Sequence, residues 1–433
     1  MSGMTPIDAM LIDGTYKGMP GVPGPFPQGR IRDKGWNVLR GDLPMPVAIL
    51  KEEALSHNAD WMRRFVQATG VRIAPHGKTT MSPQLFHRQL QDGAWALTLA
   101  TVFQVQVARS FGVSRILLAN QLVGRAETAY ILEELARDPD FDFYCLVDSE
   151  AGVGQLAAAA QRITPGRPVQ VLLERGIAGR RTGCRTAEEA LAVARAVGRA
   201  APHLVLRGIE GFEGIMAGAD RNDLEGRIQA FLDSILETAR ACSTERLFGD
   251  GPVILSAGGS AYFDLVVEKF GGAAIGREIM IVLRSGCYLT QDSSMYENAF
   301  RRILERSGAA RAVGGGLRNA LELWSYVQSR PEPTRAILGF GRRDASYDDV
   351  LPKPLLWFRA GRHSRPEVFA PAPVIVALND QHAFLDLAPD SPLAVGDMVA
   401  VGVSHPCTTF DKWRLLPVVD RDYTVIDAIR TFF

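Results

Sequence analysis

The chain lacks the marks of a membrane, nucleic-acid-binding or secreted protein. No apolar run approaches the length of a membrane span. Neither sign of charge prevails: 48 Lys and Arg stand against 48 Asp and Glu, for a formal net charge of zero. That balance removes the basic footprint of a nucleic-acid binder or of a protein held to a charged membrane surface. The segment Met1 to Arg40 is rich in Gly and Pro and holds no apolar signal core, so no secretion signal is expected. There are only five cysteines, Cys145, Cys184, Cys242, Cys287 and Cys407. An odd, scattered set in a long chain predicts reduced thiols and a cytoplasmic protein. No internal repeat and no extended low-complexity tract is visible. What is present is 433 residues, 47% hydrophobic and 22% charged, enough for a large core and for two or three domains.

Between about Pro44 and Leu289, strand-like apolar segments alternate with amphipathic stretches such as Glu53–Ala68, Arg125–Arg137, Ala187–Arg199 and Leu224–Cys242. Eight segments read as strands: Val71–Ala74, Ala96–Thr101, Arg115–Asn120, Phe143–Val147, Val169–Glu174, Leu204–Ile209, Pro252–Ser256 and Met280–Leu283. Strands repeatedly followed by helices imply parallel βαβ units, and eight of them predict an α/β fold with a (β/α)8 barrel over 44–289. A doubly wound open sheet is the alternative, because patterning does not report closure. Polar residues gather just after the strands, at Lys78, Asn120-Gln121, Asp148, Arg175, Glu210 and Ser256–Ser260. In barrels of this kind that end carries the chemistry. Beyond Leu289, helical patterning continues over Met295–Arg306 and Arg318–Gln328. Then β-rich segments follow at Leu355–Arg359, Val374–Leu378, Ala383–Leu387, Met398–Val403 and Leu415–Val419, separated by turn formers. A mostly antiparallel β domain is expected, made of 290–433 with the arm 1–43.

Five local patterns carry possible chemistry. In Ala74-Pro75-His76-Gly77-Lys78-Thr79 a lysine follows a short apolar segment. Desolvation at a barrel mouth disfavours its ammonium form, and the free amine can make a Schiff base with an aldehyde cofactor. A solvated loop lysine is the plain alternative. Ser256-Ala257-Gly258-Gly259-Ser260-Ala261 follows an apolar strand, where small residues let backbone N–H groups approach a phosphate; otherwise it is a tight turn. His405-Pro406-Cys407 sets an imidazole and a thiol two residues apart, a pair that favours zinc, or else a turn with a buried thiol. Arg181, in Gly179-Arg180-Arg181-Thr182-Gly183, can meet a carboxylate or a ring nitrogen, or simply face water. Asn379-Asp380-Gln381-His382 is a β-turn by composition, with His382 a candidate to point into a site.

Taken in order, these runs resemble one family, the fold-type III pyridoxal-phosphate enzymes related to D-serine dehydratase and D-threonine aldolase, which share the alanine-racemase architecture. Pro75-His76-Gly77-Lys78-Thr79 resembles its cofactor-lysine motif, Arg181-Thr182-Gly183 its Arg-x-Gly, and Phe212-Glu213-Gly214 its Tyr-x-Gly. Gly258-Gly259-Ser260 takes the phosphate-loop place, and Leu283-Arg284-Ser285-Gly286-Cys287-Tyr288 resembles the strand leaving the barrel. Ser404 to Asp411 resembles the metal segment. Departures line the pocket: Ala74 where Arg is common, Thr80-Met81 for His-Lys, Phe212 for Tyr, and Ile215 for His. They point to a substrate other than D-serine or D-threonine.

The resemblance implies a pyridoxal-phosphate- and zinc-dependent lyase, a homodimer, acting on a D-configured β-hydroxy amino acid. It implies Lys78 as the cofactor lysine and catalytic base. His76, Arg181, Phe212, Gly258, Gly259, Ser260 and Tyr288 would contact the cofactor, and His405 and Cys407 the metal. Gln104, Asn120 and His382 are candidates for the substrate or the layer behind it. Dehydratase members pair His with Cys, aldolase members His with Asp, so Cys407 favours loss of water, giving a 2-oxo acid and ammonia. Retro-aldol cleavage to glycine and an aldehyde stays open. A racemase with Tyr288 as second base and a non-catalytic cofactor carrier are further alternatives. The segment Met295–Ser329 is a candidate insertion at the entrance.

Overall fold

A computed structural model describes residues 5–21, 24–216 and 221–433. Its first half contains eight parallel strands: β1 (Arg72–Ile73), β2 (Leu97–Leu99), β3 (Arg115–Gln121), β4 (Asp142–Val147), β5 (Val169–Arg175), β6 (Leu204–Gly211), β7 (Val253–Ala257) and β8 (Ile279–Leu283). Each falls on an expected segment. From β2 to β8 every strand pairs with its successor, and β8 returns to β1 at Val282–Arg72 and Leu283–Ile73. The circle closes where Trp95 N donates to Ile73 O (2.8 Å) and Thr98 N donates to Pro75 O (2.9 Å). The sheet is therefore a barrel and not an open layer.

Alternation along the strands fills it. Ala74, Ala96, Leu117, Tyr144, Leu146, Leu172, Ile254 and Val282 point inward as one cluster. Their neighbours Phe143, Cys145 and Val147 face the helices. Strands buried on both faces read as unbroken apolar runs, which is why they stood out. The lumen is plugged by side chains, so room for a ligand exists only at the C-terminal mouth. Local signals set the helices around it. Ala187–Arg199 starts with a capping box in which Thr186 Oγ1 accepts from Glu189 N and Glu189 Oε2 accepts from Thr186 N, each at 3.1 Å.

The second half is a twisted, mostly antiparallel sheet. Its central strand, Leu321–Glu332, lies between Met398–Gly402 and Val47–Lys51 and runs on to pair with Arg335–Leu338. Lys353–Phe358, Glu367–Val368, Val374–Leu378, Ala383–Asp386, Leu415–Val419 and Val425–Arg430 complete it. Two expectations change here. The helical pattern over Arg318–Gln328 is instead that central strand; Leu321, Glu322, Leu323, Trp324 and Ser325 are all buried. A segment covered on both faces shows no two-residue alternation to separate it from a buried helix. Second, Val47–Lys51 lies inside the 44–289 range assigned to the barrel, yet it hydrogen-bonds into the β sheet. Its run of buried Val47, Ala48, Ile49 and Leu50 carries no mark of which sheet will take it. The N-terminal arm joins the same domain: Gln28 Nε2 donates to Ala428 O (2.7 Å), and Arg430 Nε donates to Gln28 Oε1 (2.6 Å). No helix among the described residues is long and apolar enough to cross a membrane.

Candidate active site

A cavity opens at the barrel mouth. Its lining joins His76 and Lys78 to Asn120, Glu174, Arg175, Arg181, Glu210, Phe212, Gly259 and Arg284. These side chains come from the ends of different strands, so the barrel itself brings together residues far apart in sequence.

Lys78 lies on a single helical turn, Gly77–Thr79, directly beyond β1. Its amine makes no hydrogen bond or salt bridge among the described residues. Burial lowers its pKa below the ordinary 10.5; Cys407 opposes that shift and Arg181 adds to it. Burial, with the charges of Lys78 and Arg284, holds His76 well below the usual imidazole range, so its ring is neutral. His76 Nδ1 is buried without a hydrogen-bond partner. The loop Arg284 to Tyr288 lies directly on this turn because position 286 is glycine. A Cβ there would stand 2.6 Å from His76 O and 2.9 Å from Thr79 Oγ1.

Arg181 stacks over the Phe212 ring at 5.2 Å, and that ring covers Gly259. Glu174 is held by Gln121 Nε2 (2.6 Å) and Thr182 Oγ1 (2.9 Å), and burial raises its pKa. Glu210 pairs with Arg284 at 2.6 Å; burial pushes its carboxyl up to about 8 against the pull of that guanidinium. Gly258, at φ +88°, turns the chain after β7 where a side chain would strike Leu283. The Gly258 and Gly259 amides donate to the Glu213 carboxylate at 3.1 and 2.7 Å. The glycine pair thus holds an anion, and that anion belongs to the protein.

A second group of residues reaches the lysine turn from the β domain. Cys407 opens the short helix Cys407–Phe410, and its Sγ lies 3.5 Å from Thr79 Oγ1 and 4.0 Å from Cys287 Sγ. The hydrogen bond to Cys287 and the neighbouring His405 depress the Cys407 thiol well below its ordinary range, against burial. Its bond to Cys407 raises the buried Cys287 thiol. His405 is raised to about 9, first by its bond to Cys407 and then by Asp348, against burial. Thr79 is the hinge between the two groups, one residue from the lysine and in contact with both thiols.

Residues 50–263 match the alanine racemase N-terminal domain, and 320–419 match a putative serine dehydratase domain. The chain belongs to the D-serine dehydratase and D-threonine aldolase-like branch of the fold-type III pyridoxal-phosphate lyases. It is 27% identical over 319 residues to a 3-hydroxy-D-aspartate aldolase of Paracoccus denitrificans (strain Pd 1222), covering 72% of this chain and 75% of the relative. D-threonine aldolase from Filomicrobium marinum superposes with a TM-score of 0.71 at 20% identity, over 90% of this chain and 95% of that one. D-threo-3-hydroxyaspartate dehydratase from Delftia sp. HT23 does so with 0.69 at 18% identity, over 92% and 99%. Structures of a D-threo-3-hydroxyaspartate dehydratase also include a histidine-to-alanine variant and a cysteine-to-alanine variant two positions further on, the latter in a metal-free form. At these identities the superpositions establish the fold.

The cavity of this lyase fits the family's cofactor. It offers an unpaired lysine amine, an unpartnered buried imidazole nitrogen and a cationic lining for a phosphate. With Gly258 and Gly259 engaged by Glu213, the Ser260, Ala261 and Tyr262 amides are without an acceptor among the described residues, ahead of the helix Phe263–Gly271. For a metal the donors are a thiol and an imidazole, a borderline-soft pair. Among the described residues no group of three His, Cys, Asp or Glu side chains is arranged to enclose an ion. His405 and Cys407 therefore offer two ligands and leave the other positions to water or substrate.

Three of the sequence candidates lie elsewhere. Tyr288 is buried outside the cavity, its hydroxyl bonded to Gln89, because its side chain alternates to the helix-facing side of the chain leaving β8. Gln104 caps its own helix, its Oε1 accepting from Ala100 N (2.8 Å), and does not line the cavity. His382 is exposed on the turn between Val374–Leu378 and Ala383–Asp386. Asn120 lines the cavity with its Nδ2 donated to Ala100 O, and Ser260 Oγ accepts from Cys287 N at 3.4 Å. The sequence reading gave no role to Glu174, Arg284 or Asp348. The first two sit at the ends of β5 and β8, where polar residues closing apolar runs are a usable signal. Asp348 lies in a loop far from His405 in sequence, with no spacing to betray it.

Proposed function

We propose that this lyase acts on a D-configured β-hydroxy amino acid, removing water to give a 2-oxo acid and ammonia with the help of a divalent cation. The juxtaposition of the Lys78 amine with the His405–Cys407 pair, on either side of Thr79, carries the reading. Pyridoxal phosphate, when bound at Lys78, supplies the sink for negative charge at the substrate's Cα. A cation on His405 and Cys407, zinc by donor chemistry, supplies a Lewis acid for the β-oxygen. The chain's own residues do the rest. Lys78 Nζ, its pKa lowered by burial, takes the Cα proton. Arg175, Arg181 and Arg284 bias the cavity toward anionic groups, which suits a phosphate and a substrate carboxylate.

Cys407, in place of the aspartate that aldolase members pair with the histidine, favours elimination. Its spacing from His405 equals that of the histidine and cysteine replaced in the dehydratase structures. Retro-aldol cleavage is the second reading, supported by the aldolase relatives. Racemisation loses its candidate base, since Tyr288 faces Gln89. A homodimer in a reducing cytoplasm completes the proposal, in keeping with five unpaired cysteines; sedimentation of the purified protein tests the dimer. The reaction is tested with D-3-hydroxyaspartate, D-serine and D-threonine, with zinc or with EDTA. Ammonia and a 2-oxo acid, lost with EDTA, support dehydration. Glycine and an aldehyde support the aldolase, and racemised substrate without product removes both.

A further inference from the structure

We propose that Asp348 is a positioning residue for His405, holding its imidazole by Nδ1–H so that Nε2 alone presents a lone pair to a metal ion. The inference rests on the reading that His405 and Cys407 carry that ion. His405 Nδ1 stands 2.5 Å from Asp348 Oδ2. The other carboxylate oxygen, Oδ1, accepts from Thr408 Oγ1 at 2.7 Å, so the carboxylate is fixed on both sides. The segment around it is stitched to the His-Pro-Cys run at three further points. Ser346 N donates to Thr409 Oγ1 (2.9 Å), Val350 N donates to Ser404 Oγ (3.4 Å), and Ser404 Oγ donates to Val350 O (2.9 Å).

An imidazole that binds a metal is neutral and has one N–H. A carboxylate fixed at Nδ1 keeps the proton there and leaves Nε2 as the ligand. The partial charge drawn onto the ring makes Nε2 a better donor. With only two protein ligands available, the orientation of each ring and thiol matters more than in a closed four-ligand site. Proline at 406 adds stiffness between the two ligands, but it does not choose the nitrogen; Asp348 does.

The test is cobalt affinity of the purified holoenzyme, by competition with a chromophoric chelator. Wild type, Asp348→Ala, Asp348→Asn and His405→Ala are compared, with the pyridoxal absorbance and Tm as controls. Asp348→Ala should weaken cobalt by about 10–100-fold, with the thiolate-to-cobalt charge-transfer band and the pyridoxal absorbance retained. Asp348→Asn should recover part of the loss, because its amide oxygen still accepts Nδ1–H without the charge. A change under about threefold in Asp348→Ala, against a clear loss in His405→Ala, overturns the positioning role alone. A loss as deep as that of His405→Ala, unrelieved by asparagine, makes Asp348 a direct ligand and also overturns it. Equal cobalt binding by wild type and His405→Ala removes the metal reading itself, and the proposal with it.

Discussion

The lysine half of the site stands at the mouth of strands that follow one another in chain order, whereas the thiol half is gathered from Thr79, Cys287, Asp348 and His405–Thr408. The first is enclosed: its lysine has no partner among the described residues, and its Glu210 carboxyl is buried against the Arg284 guanidinium. The second is more open, with the His405 side chain 30% and that of Asp348 44% exposed. The enclosed half shifts protonation by excluding water. The open half does so by direct hydrogen bonds. On the proposed function, the residues for cofactor attachment and those for an ion occupy environments suited to each, joined through one threonine.

If the halves are separable, removing one should spare the other. Lys78→Ala should abolish the absorbance of lysine-bound cofactor and reduce turnover to background while metal content stays normal. An unaltered spectrum would show the attachment lies elsewhere. His405→Ala is expected to strip the metal and cut turnover by about 10²–10⁴-fold, with the cofactor absorbance intact; full turnover in metal-free protein would sink the Lewis-acid role. Gly286→Ala attacks the seam between them. Its Cβ would press on His76 O and Thr79 Oγ1. A loss of about 1–3 kcal/mol in stability, together with weaker cofactor and weaker metal binding, is expected; a shift in one half alone would show they are less coupled than their contacts suggest.

The smallest effect is in pH dependence. Only the neutral amine reacts with an aldehyde, and burial lowers the Lys78 pKa. Capture of pyridoxal phosphate by the apoenzyme should therefore rise with pH through a midpoint below 10.5. Arg181→Gln removes a nearby positive charge and should move that midpoint slightly upward. A midpoint at or above the free-lysine value would contradict the enclosed character of this half.

The same contrast explains what could be read from the sequence. All eight barrel strands were legible because each pairs with its neighbours in the chain, and the alternation of strand and helix reports that directly. Lys78, His405 and Cys407, on which the proposed function rests, stand in compact motifs. In the β domain the order of pairing departs from chain order, so Arg318–Gln328 reads as helical although Leu321–Glu332 is a strand, and Val47–Lys51 reads as part of the barrel. Asp348 and Glu213 act through contacts formed only once distant loops meet. Tyr288 was misplaced for a simpler reason: motif position locates a residue along the chain but not the side of the backbone it leaves from.

The crossing of Val47–Lys51 into the far sheet has a consequence for how the polypeptide comes into being. Its partner strand leaves the ribosome about 270 residues later, a delay of roughly a quarter of a minute to a minute at ~5–20 residues per second. Throughout that interval the nascent barrel can assemble, yet Val47 to Leu50 present an apolar ribbon with nothing to zip onto. A gene cut after codon 289 would leave that ribbon permanently orphaned, and its product should precipitate unless the missing carboxy-terminal piece is made in the same cell.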